Sequence, residues 1–272
     1  EGIELLSALG ILSIVIPELE RGKGVEQNGD HIYDVWTHNL RALQNAAQKK
    51  WPLHIRLGAL FHDISKPETR RRHETRDDWT FYGHEVVGAR VANKIMKRLK
   101  YPGHETEVVT KLVRWHMFFS DPEQITLSAV RRMIRNVGED NIWDLLNLRI
   151  CDRIGTGRPK EQPFRFRKYK SYVEEALRSP TSVGMLAING DYILKEMGQK
   201  PGPRIGWELN ALLEEVLEDP KKNELETLKK RTEELFTLPD EELKELGEAG
   251  KKALEKEEKE AVAAIRAKHH VN

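Results

Sequence analysis

The chain has 272 residues, 39% of them hydrophobic and 33% charged, with a formal net charge of +1. This is ample for one large core or two domains. The absence of any apolar run of bilayer-spanning length argues against a membrane-embedded protein. The single cysteine, Cys151, excludes an internal disulfide and a multi-cysteine zinc site and fits a reducing, cytoplasmic setting.

Helical spacing recurs along the chain and alternating β-branched runs do not, so an all-α fold is expected. Residues 1–19 are apolar but lack a basic leader and a small-residue cleavage site. They read as one or two amphipathic helices closed by Pro17, not as a secretory signal. The chain opens at Glu1, without Met and in apparent mid-helix, as a fragment or processed product would. Glycines 22, 24 and 29 mark a loop. A helix follows over 34–49, with Asp34 as its cap and Trp36, Leu40, Leu43 and Ala47 as its core stripe. His38 lies at the border of that stripe with Val35 and Ala42.

The next helix spans 52–66, with Leu53, Leu57, Leu60 and Ile64 on one face, Pro52 at its first position and Pro67 as its stop. His62 and Asp63 fall near its end, in surroundings apolar nearly all round. A buried carboxylate beside a buried imidazole is costly unless partnered, and a metal ion is the simplest partner. Capping or hydrogen bonding is nevertheless the commoner fate of one such pair. An arginine-rich loop runs to about residue 80. The helix at 84–100 then places His84, Gly88, Val91 and Ile95 on one line. Tyr101-Pro102-Gly103 breaks the chain, and the helix at 104–118 aligns Val109, Leu112 and His116. Asp121-Pro122 ends it. The helix at 126–137 carries Leu127, Val130, Ile134 and Val137, with Arg131 and Arg132 to one side, and Gly138 closes it. The helix at 140–154 aligns Ile142, Leu145, Arg149 and Asp152. A loop over 155–165, a short helix at 166–178, a Pro/Gly-broken stretch at 180–205 and helices at 205–219, 223–237 and 240–270 complete the chain. The last has 13 charged residues within 241–260 and reads as solvated.

Apart from His269 and His270 at the tail, every histidine lies between His31 and His116. His31, His54, His73 and His104 sit in loops or at helix starts and read as ordinary polar residues. His38, His62, His84 and His116, with Asp63 and Asp152, fall on or beside lines of core residues. Imidazoles and carboxylates in such surroundings suit divalent Mn, Fe, Co, Ni or Zn, and Mg less well. Residues 131–170 hold eleven Lys and Arg against five Asp and Glu, and Arg70-Arg71-Arg72 adds a further basic run. Such segments suit a phosphate-bearing ligand, the ordinary alternative being a solvated charged face. Cys151 reads as a small buried apolar residue.

Five phrases carry a resemblance: Asp34-Val35-Trp36-Thr37-His38, Leu60-Phe61-His62-Asp63-Ile64-Ser65-Lys66-Pro67, Phe81-Tyr82-Gly83-His84-Glu85, Arg114-Trp115-His116-Met117 and Cys151-Asp152-Arg153. Together they resemble the HD superfamily of metal-dependent phosphohydrolases. Ile16-Pro17-Glu18-Leu19, Gly24-Val25-Glu26-Gln27-Asn28, Ile188-Asn189-Gly190-Asp191 and Pro201-Gly202-Pro203-Arg204-Ile205-Gly206 narrow it. They are similar to the HD-containing C-terminal half of bacterial tRNA nucleotidyltransferases and poly(A) polymerases. The resemblance covers residues 10–237 in rough terms. It implies an HD-domain helical bundle followed by a smaller helical C-terminal region. The implied divisions are a connector (1–30), the HD domain (31–178), a region like the C-terminal part of the nucleotidyltransferases (179–240) and a charged tail (241–272).

The resemblance also implies a site. His38, His62, Asp63 and Asp152 would hold one divalent ion, and His84 and His116 a second, with Asp63 bridging. Asp63 and Lys66 are the implied catalytic residues. Lys66, Arg70, Arg132, Arg149 and Arg153 are candidate phosphate contacts, since a guanidinium matches phosphate oxygens in a fork. Arg149 and Arg153 also stand close enough to Asp152 to pair with it instead. Of the nearby aromatic residues, Tyr82 and Phe118 are the best candidates to stack on a base. The implied activity is phosphodiesterase or phosphatase hydrolysis of nucleotides or RNA ends such as 2′,3′-cyclic phosphates. The alternative is the RNA-binding half of a tRNA nucleotidyltransferase, with tRNA as partner; an oligomer is compatible with either. A signalling hydrolase of alarmones or cyclic dinucleotides is a third reading. Asn39 and Ser65 depart from the usual phrases without removing a ligand. The chain has no Gly-Ser dipeptide and no Asp-x-Asp pair, so nucleotide transfer by that family's route is not expected of it alone.

Overall fold

The computed structural model describes residues 1–28, 31–73, 78–118, 125–158 and 160–248. The expected break at Asp121-Pro122 and the tail histidines His269 and His270 lie outside these residues. In chain order the elements are α1 (Gly2–Ala8), α2 (Leu12–Val15), α3 (Pro17–Glu20), α4 (Val35–Gln48), α5 (Leu53–Phe61), α6 (Lys66–Thr69), β1 (Arg71–Arg72), β2 (Trp79–Thr80), α7 (His84–Arg98), α8 (Gly103–Trp115), α9 (Leu127–Val137), α10 (Glu139–Gly155), α11 (Phe164–Ala176), α12 (Gly190–Lys195), α13 (Pro203–Glu218) and α14 (Leu225–Phe236). The fold is all-α apart from β1 and β2, a two-residue antiparallel ladder inside the segment expected to be loop. Among the described residues, no helix is long and apolar enough to cross a membrane.

The described residues form two compact units, one of Glu1–Phe118 with Val137–Phe164, the other of 125–136 with 165–248. In the first unit α4, α5, α7, α8 and α10 pack on one another. Asp34 starts α4 as expected. Its Oδ1 accepts from Thr37 N at 2.8 Å and its Oδ2 from Gly24 N at 2.7 Å, so one carboxylate caps the helix and anchors the preceding loop. The fully buried line of α4 is Val35, His38, Asn39, Ala42 and Ala46. The expected stripe of Trp36, Leu40 and Leu43 is only half-buried, against Phe61, Met96 and their neighbours. Small residues on the inner line let α4 approach α5 and α10, which moves the large ones to the flank. Each large core side chain such as Phe61 or Met96 stabilises the unit by about 1.5–3 kcal/mol.

Two expectations about α5 are corrected. The helix stops at Phe61, and Pro67 lies in the first turn of α6. Proline starts that helix instead of ending the previous one, because first-turn N–H groups need no partner. Leu53, expected on the buried face, is exposed at the first turn.

In the second unit α13 is central. Leu212, Leu213, Val216 and Leu217 are buried with Ile188, Ile193, Leu228, Leu235 and Leu243. α9 is fastened to the end of α13. Arg131 Nε donates to Leu217 O at 2.6 Å, Arg132 Nε to Glu214 Oε2 at 3.3 Å, and Arg135 pairs with Glu214. Cations at a helix C-terminus satisfy carbonyls that have no partner within the helix. For this reason α9 belongs with residues far downstream, and the compact units divide elsewhere than at residue 178.

Candidate metal centre

Beyond Phe61 the chain turns, with Ile64 N donating to Phe61 O at 3.1 Å and Lys66 N to Asp63 O at 3.0 Å. The turn drives His62 and Asp63 into the bundle, 0% and 1% exposed. His38 of α4 and Asp152 of α10 meet them on one side. His38 Nε2 lies 2.9 Å from His62 Nε2, 3.2 Å from Asp63 Oδ2 and 3.4 Å from Asp152 Oδ1. On the other side, Asp63 Oδ1 lies 3.3 Å from His84 Nε2 and 3.6 Å from His116 Nε2, and those nitrogens are 3.2 Å apart. Asp63 therefore offers one oxygen to each group.

Hydrogen bonds fix which ring nitrogens carry protons. His62 Nδ1 donates to Ala59 O at 2.9 Å, His84 Nδ1 to Phe81 O at 2.7 Å and His116 Nδ1 to Val113 O at 2.7 Å. A carbonyl oxygen can only accept, so Nδ1 holds a proton in each, and a ring that carries no second proton turns a bare Nε2 lone pair inward. Lone pairs of His84 and His116 facing each other at 3.2 Å repel unless a cation lies between them. The donor set of imidazole nitrogens and carboxylate oxygens suits a divalent transition metal. Two groups could hold one: His38, His62 and Asp152, and Asp63, His84 and His116, with the ligand atoms of each within 4.8 Å of one another.

The electrostatics agree. Burial would raise the Asp63 carboxyl, but Lys66 and His62 hold it well below the usual carboxylate range. Burial likewise opposes charge on Asp152, and Arg149 and His38 overcome it. Burial alone would depress His62, yet Asp63 and Asp152 carry it up to about 10. Burial pushes His116 down to about 4 despite Asp63. Two buried anions thus demand positive charge, and without a metal ion the proton settles on His62.

Residues 35–154 match the family model described as HD domain. This chain carries an HD domain. The chain is also 32% identical over 218 residues to the A-adding tRNA nucleotidyltransferase of Deinococcus radiodurans, covering 78% of this chain and 49% of that protein. It is 34% identical over 215 residues to the CC-adding tRNA nucleotidyltransferase of Thermus thermophilus, covering 78% and 48%. A multifunctional CCA protein of Neisseria meningitidis is 28% identical over 168 residues, covering 60% and 39%. The chain spans about half the length of the first two relatives, and those alignments run well beyond the extent of the HD domain.

Other expected residues of the HD domain divide into those at the cluster and those engaged elsewhere. Lys66 Nζ lies 2.7 Å from Asp63 Oδ2. Arg149 pairs with Asp152 through Oδ2, leaving Oδ1 towards His38 and His62. Arg70 stacks on Trp79, its Cζ 3.7 Å from the ring centroid. Arg153 Nε donates to Lys160 O at 2.5 Å. Arg132, a candidate phosphate contact by sequence, instead pairs with Glu214 and Glu218 in the second unit. Its carboxylate partners already take the fork a phosphate would need. Phe118 is buried, whereas Tyr82 is exposed. Cys151 is buried, and burial pushes its thiol up to about 12, as befits a packing residue.

Two features escaped the sequence. His31, taken for an ordinary loop residue, sets its ring edge-on to His38 at 5.0 Å, with Nδ1 buried and without a hydrogen-bond partner. Burial and the nearby Lys66 charge push it down to about 4. Its nearness to the cluster depends on the loop path, which helical periodicity does not describe. Ser65, a departure from the usual phrase, donates its Oγ–H to His84 O at 2.6 Å, tying the His62–Lys66 turn to the start of α7. Gly88 permits that contact: a β carbon there would meet Ser65 Oγ at 3.3 Å.

Proposed function

We propose that this chain is a metal-dependent phosphohydrolase acting on nucleotides or RNA ends, with 2′,3′-cyclic phosphates and phosphomonoesters as the substrate classes to test first. The observation that carries the reading is the division of Asp63, whose two oxygens face two separate histidine pairs. Gripping RNA alone needs no such cluster. His38, His62, Asp63 and Asp152 would hold one divalent ion, and Asp63, His84 and His116 a second. Bound there, such ions would neutralise phosphate charge and make water more acidic near neutral pH. The protein residues do the rest. The Nδ1 hydrogen bonds aim three of the rings, and Asp63 and Asp152 supply fixed negative charge. Lys66, 2.7 Å from Asp63, offers a cation to an incoming phosphate oxygen. Arg149 is a third exposed and stands at the Asp152 edge of the cluster, where a phosphate can compete for its guanidinium.

A second reading has an observation of its own. Similarity to tRNA nucleotidyltransferases extends well past the HD domain, over more than three quarters of the chain. On this reading the second unit binds tRNA and the HD domain supports it. One experiment separates the two. Metal content is measured, and Mn- and Ni-loaded protein is assayed on bis-p-nitrophenyl phosphate, 2′,3′-cyclic AMP and nucleoside monophosphates beside Asp63→Ala. Hydrolysis that disappears in the variant supports the hydrolase. No turnover, with salt-sensitive tRNA binding that Asp63→Ala leaves unchanged, rejects it in favour of the second reading.

A further inference from the structure

The Lys66 ammonium is nearly buried, its side chain 9% exposed, yet it is held at two points. One is Asp63 Oδ2 at 2.7 Å; the other is Gln27 Oε1 at 2.6 Å. The Gln27 amide is itself oriented, because its Nε2 donates to Tyr33 O at 3.2 Å. That bond turns the oxygen towards the lysine. The segment bearing Gln27 is fixed on both sides. Asn28 Nδ2 donates to Trp79 O, and Trp79 N donates back to Asn28 Oδ1 at 3.3 Å. Val35 N donates to Val25 O at 3.0 Å. The Phe81 ring lies 5.6 Å from the ammonium. A neutral amide oxygen steadies a cation without adding a third negative charge beside Asp63 and Asp152. Glutamate in its place would do so.

We infer that Gln27 is a positioning residue of this centre, acting through Lys66. It accepts a hydrogen bond from one ammonium N–H, fixes the line along which Lys66 meets Asp63, and leaves the remaining donor to an anionic substrate. Only this last clause rests on the hydrolase reading.

The test uses the full chain, first without metal. Competitive acetylation with mass spectrometry compares Lys66 with the other lysines in wild type, Gln27→Met and Gln27→Glu, and melting is followed for each. Gln27→Met keeps the length of the side chain and removes the acceptor; Gln27→Ala replaces it should the methionine variant not fold. Lys66 labelling is expected to rise at least about tenfold in the methionine variant, as loss of a hydrogen bond to a charged group predicts. Gln27→Glu restores an acceptor but adds a negative charge that favours the ammonium, and is expected to label no more than wild type. Unchanged labelling in folded Gln27→Met overturns the inference. In Mn-loaded protein, the fall in kcat/KM on bis-p-nitrophenyl phosphate caused by Gln27→Met is expected to vanish in a Lys66→Ala background. A fall that persists there overturns it as well. If no form of the protein turns over substrate, the hydrolase reading fails, while labelling of Lys66 still decides the role of Gln27.

Discussion

Gly155 stands where a β carbon would come within 2.9 Å of His38 Nδ1 and 3.0 Å of the His38 carbonyl oxygen. The last turn of α10 thus lies directly against the first histidine of the cluster, and only glycine leaves room for it. Gly155→Ala must push either the ring or the α4 backbone away. Overpacking of this kind costs about 1–3 kcal/mol. The expected result is a lower urea midpoint together with reduced metal content. A folded variant with full metal content would show that the ring moves without consequence.

The protonation of His62 sets a pH dependence. In metal-free protein its pKa is raised from 6.5 to about 10. The stability it contributes is therefore complete below 6.5 and is lost as pH rises towards 10. His116 is depressed to about 4 and has the opposite sign: its contribution is present above 6.5 and is lost as pH falls through 4. Urea midpoints of metal-free protein are expected to decline between pH 7 and 10, and Asp63→Asn to flatten that decline. A metal ion taking the His62 lone pair must displace the proton, so binding is expected to release ~1 proton near neutral pH. Calorimetry in two buffers of different ionisation enthalpy measures it.

Arg149 occupies the outer oxygen of Asp152 while the inner oxygen faces His38 and His62. Arg149→Ala frees the carboxylate to rotate. Loss of such an outer partner lowers metal affinity by about 10–100-fold. A titration with Mn followed by electron paramagnetic resonance reads the change. Arg149→Lys is expected to recover only part of it, because an ammonium lacks the planar fork.

Glu214 receives both Arg132 and Arg135 and is almost buried. Glu214→Gln leaves two guanidinium groups short of a counter-charge, and breaking such a pair costs about 3 kcal/mol. The second unit is expected to unfold at lower urea. Arg132→Ala should do the same while leaving the proposed hydrolysis unchanged, since Glu214 and Glu218, not the histidine cluster, are among its partners.

Much of the candidate site was legible in the sequence because helices carry it. His38, His84, His116 and Asp152 each fall on or beside a line of core residues, and the His62-Asp63 doublet stands out in an apolar run. What eluded reading depends on the path of loops or on partners far along the chain. The stop of α5 at Phe61 rests on turn hydrogen bonds that periodicity does not reveal. Pro67 obeys the same steric rule at the start of a helix as at its end, so the residue alone did not tell which. Gln27 and His31 come from a loop positioned by long-range contacts such as those of Asp34, Asn28 and Tyr33. Arg132 looked like its neighbours, and only the fold of α13 beneath it revealed its partners.

Three of the four histidines in the cluster grip the carbonyl three residues earlier in their own segment: Ala59, Phe81 and Val113. The aim of each ring is therefore a local property, established within one turn of chain, while tertiary packing decides only where the rings meet. A ligand that docks among them finds side chains with little rotational freedom left to surrender, which favours rapid and selective capture over a slow closing of loose arms.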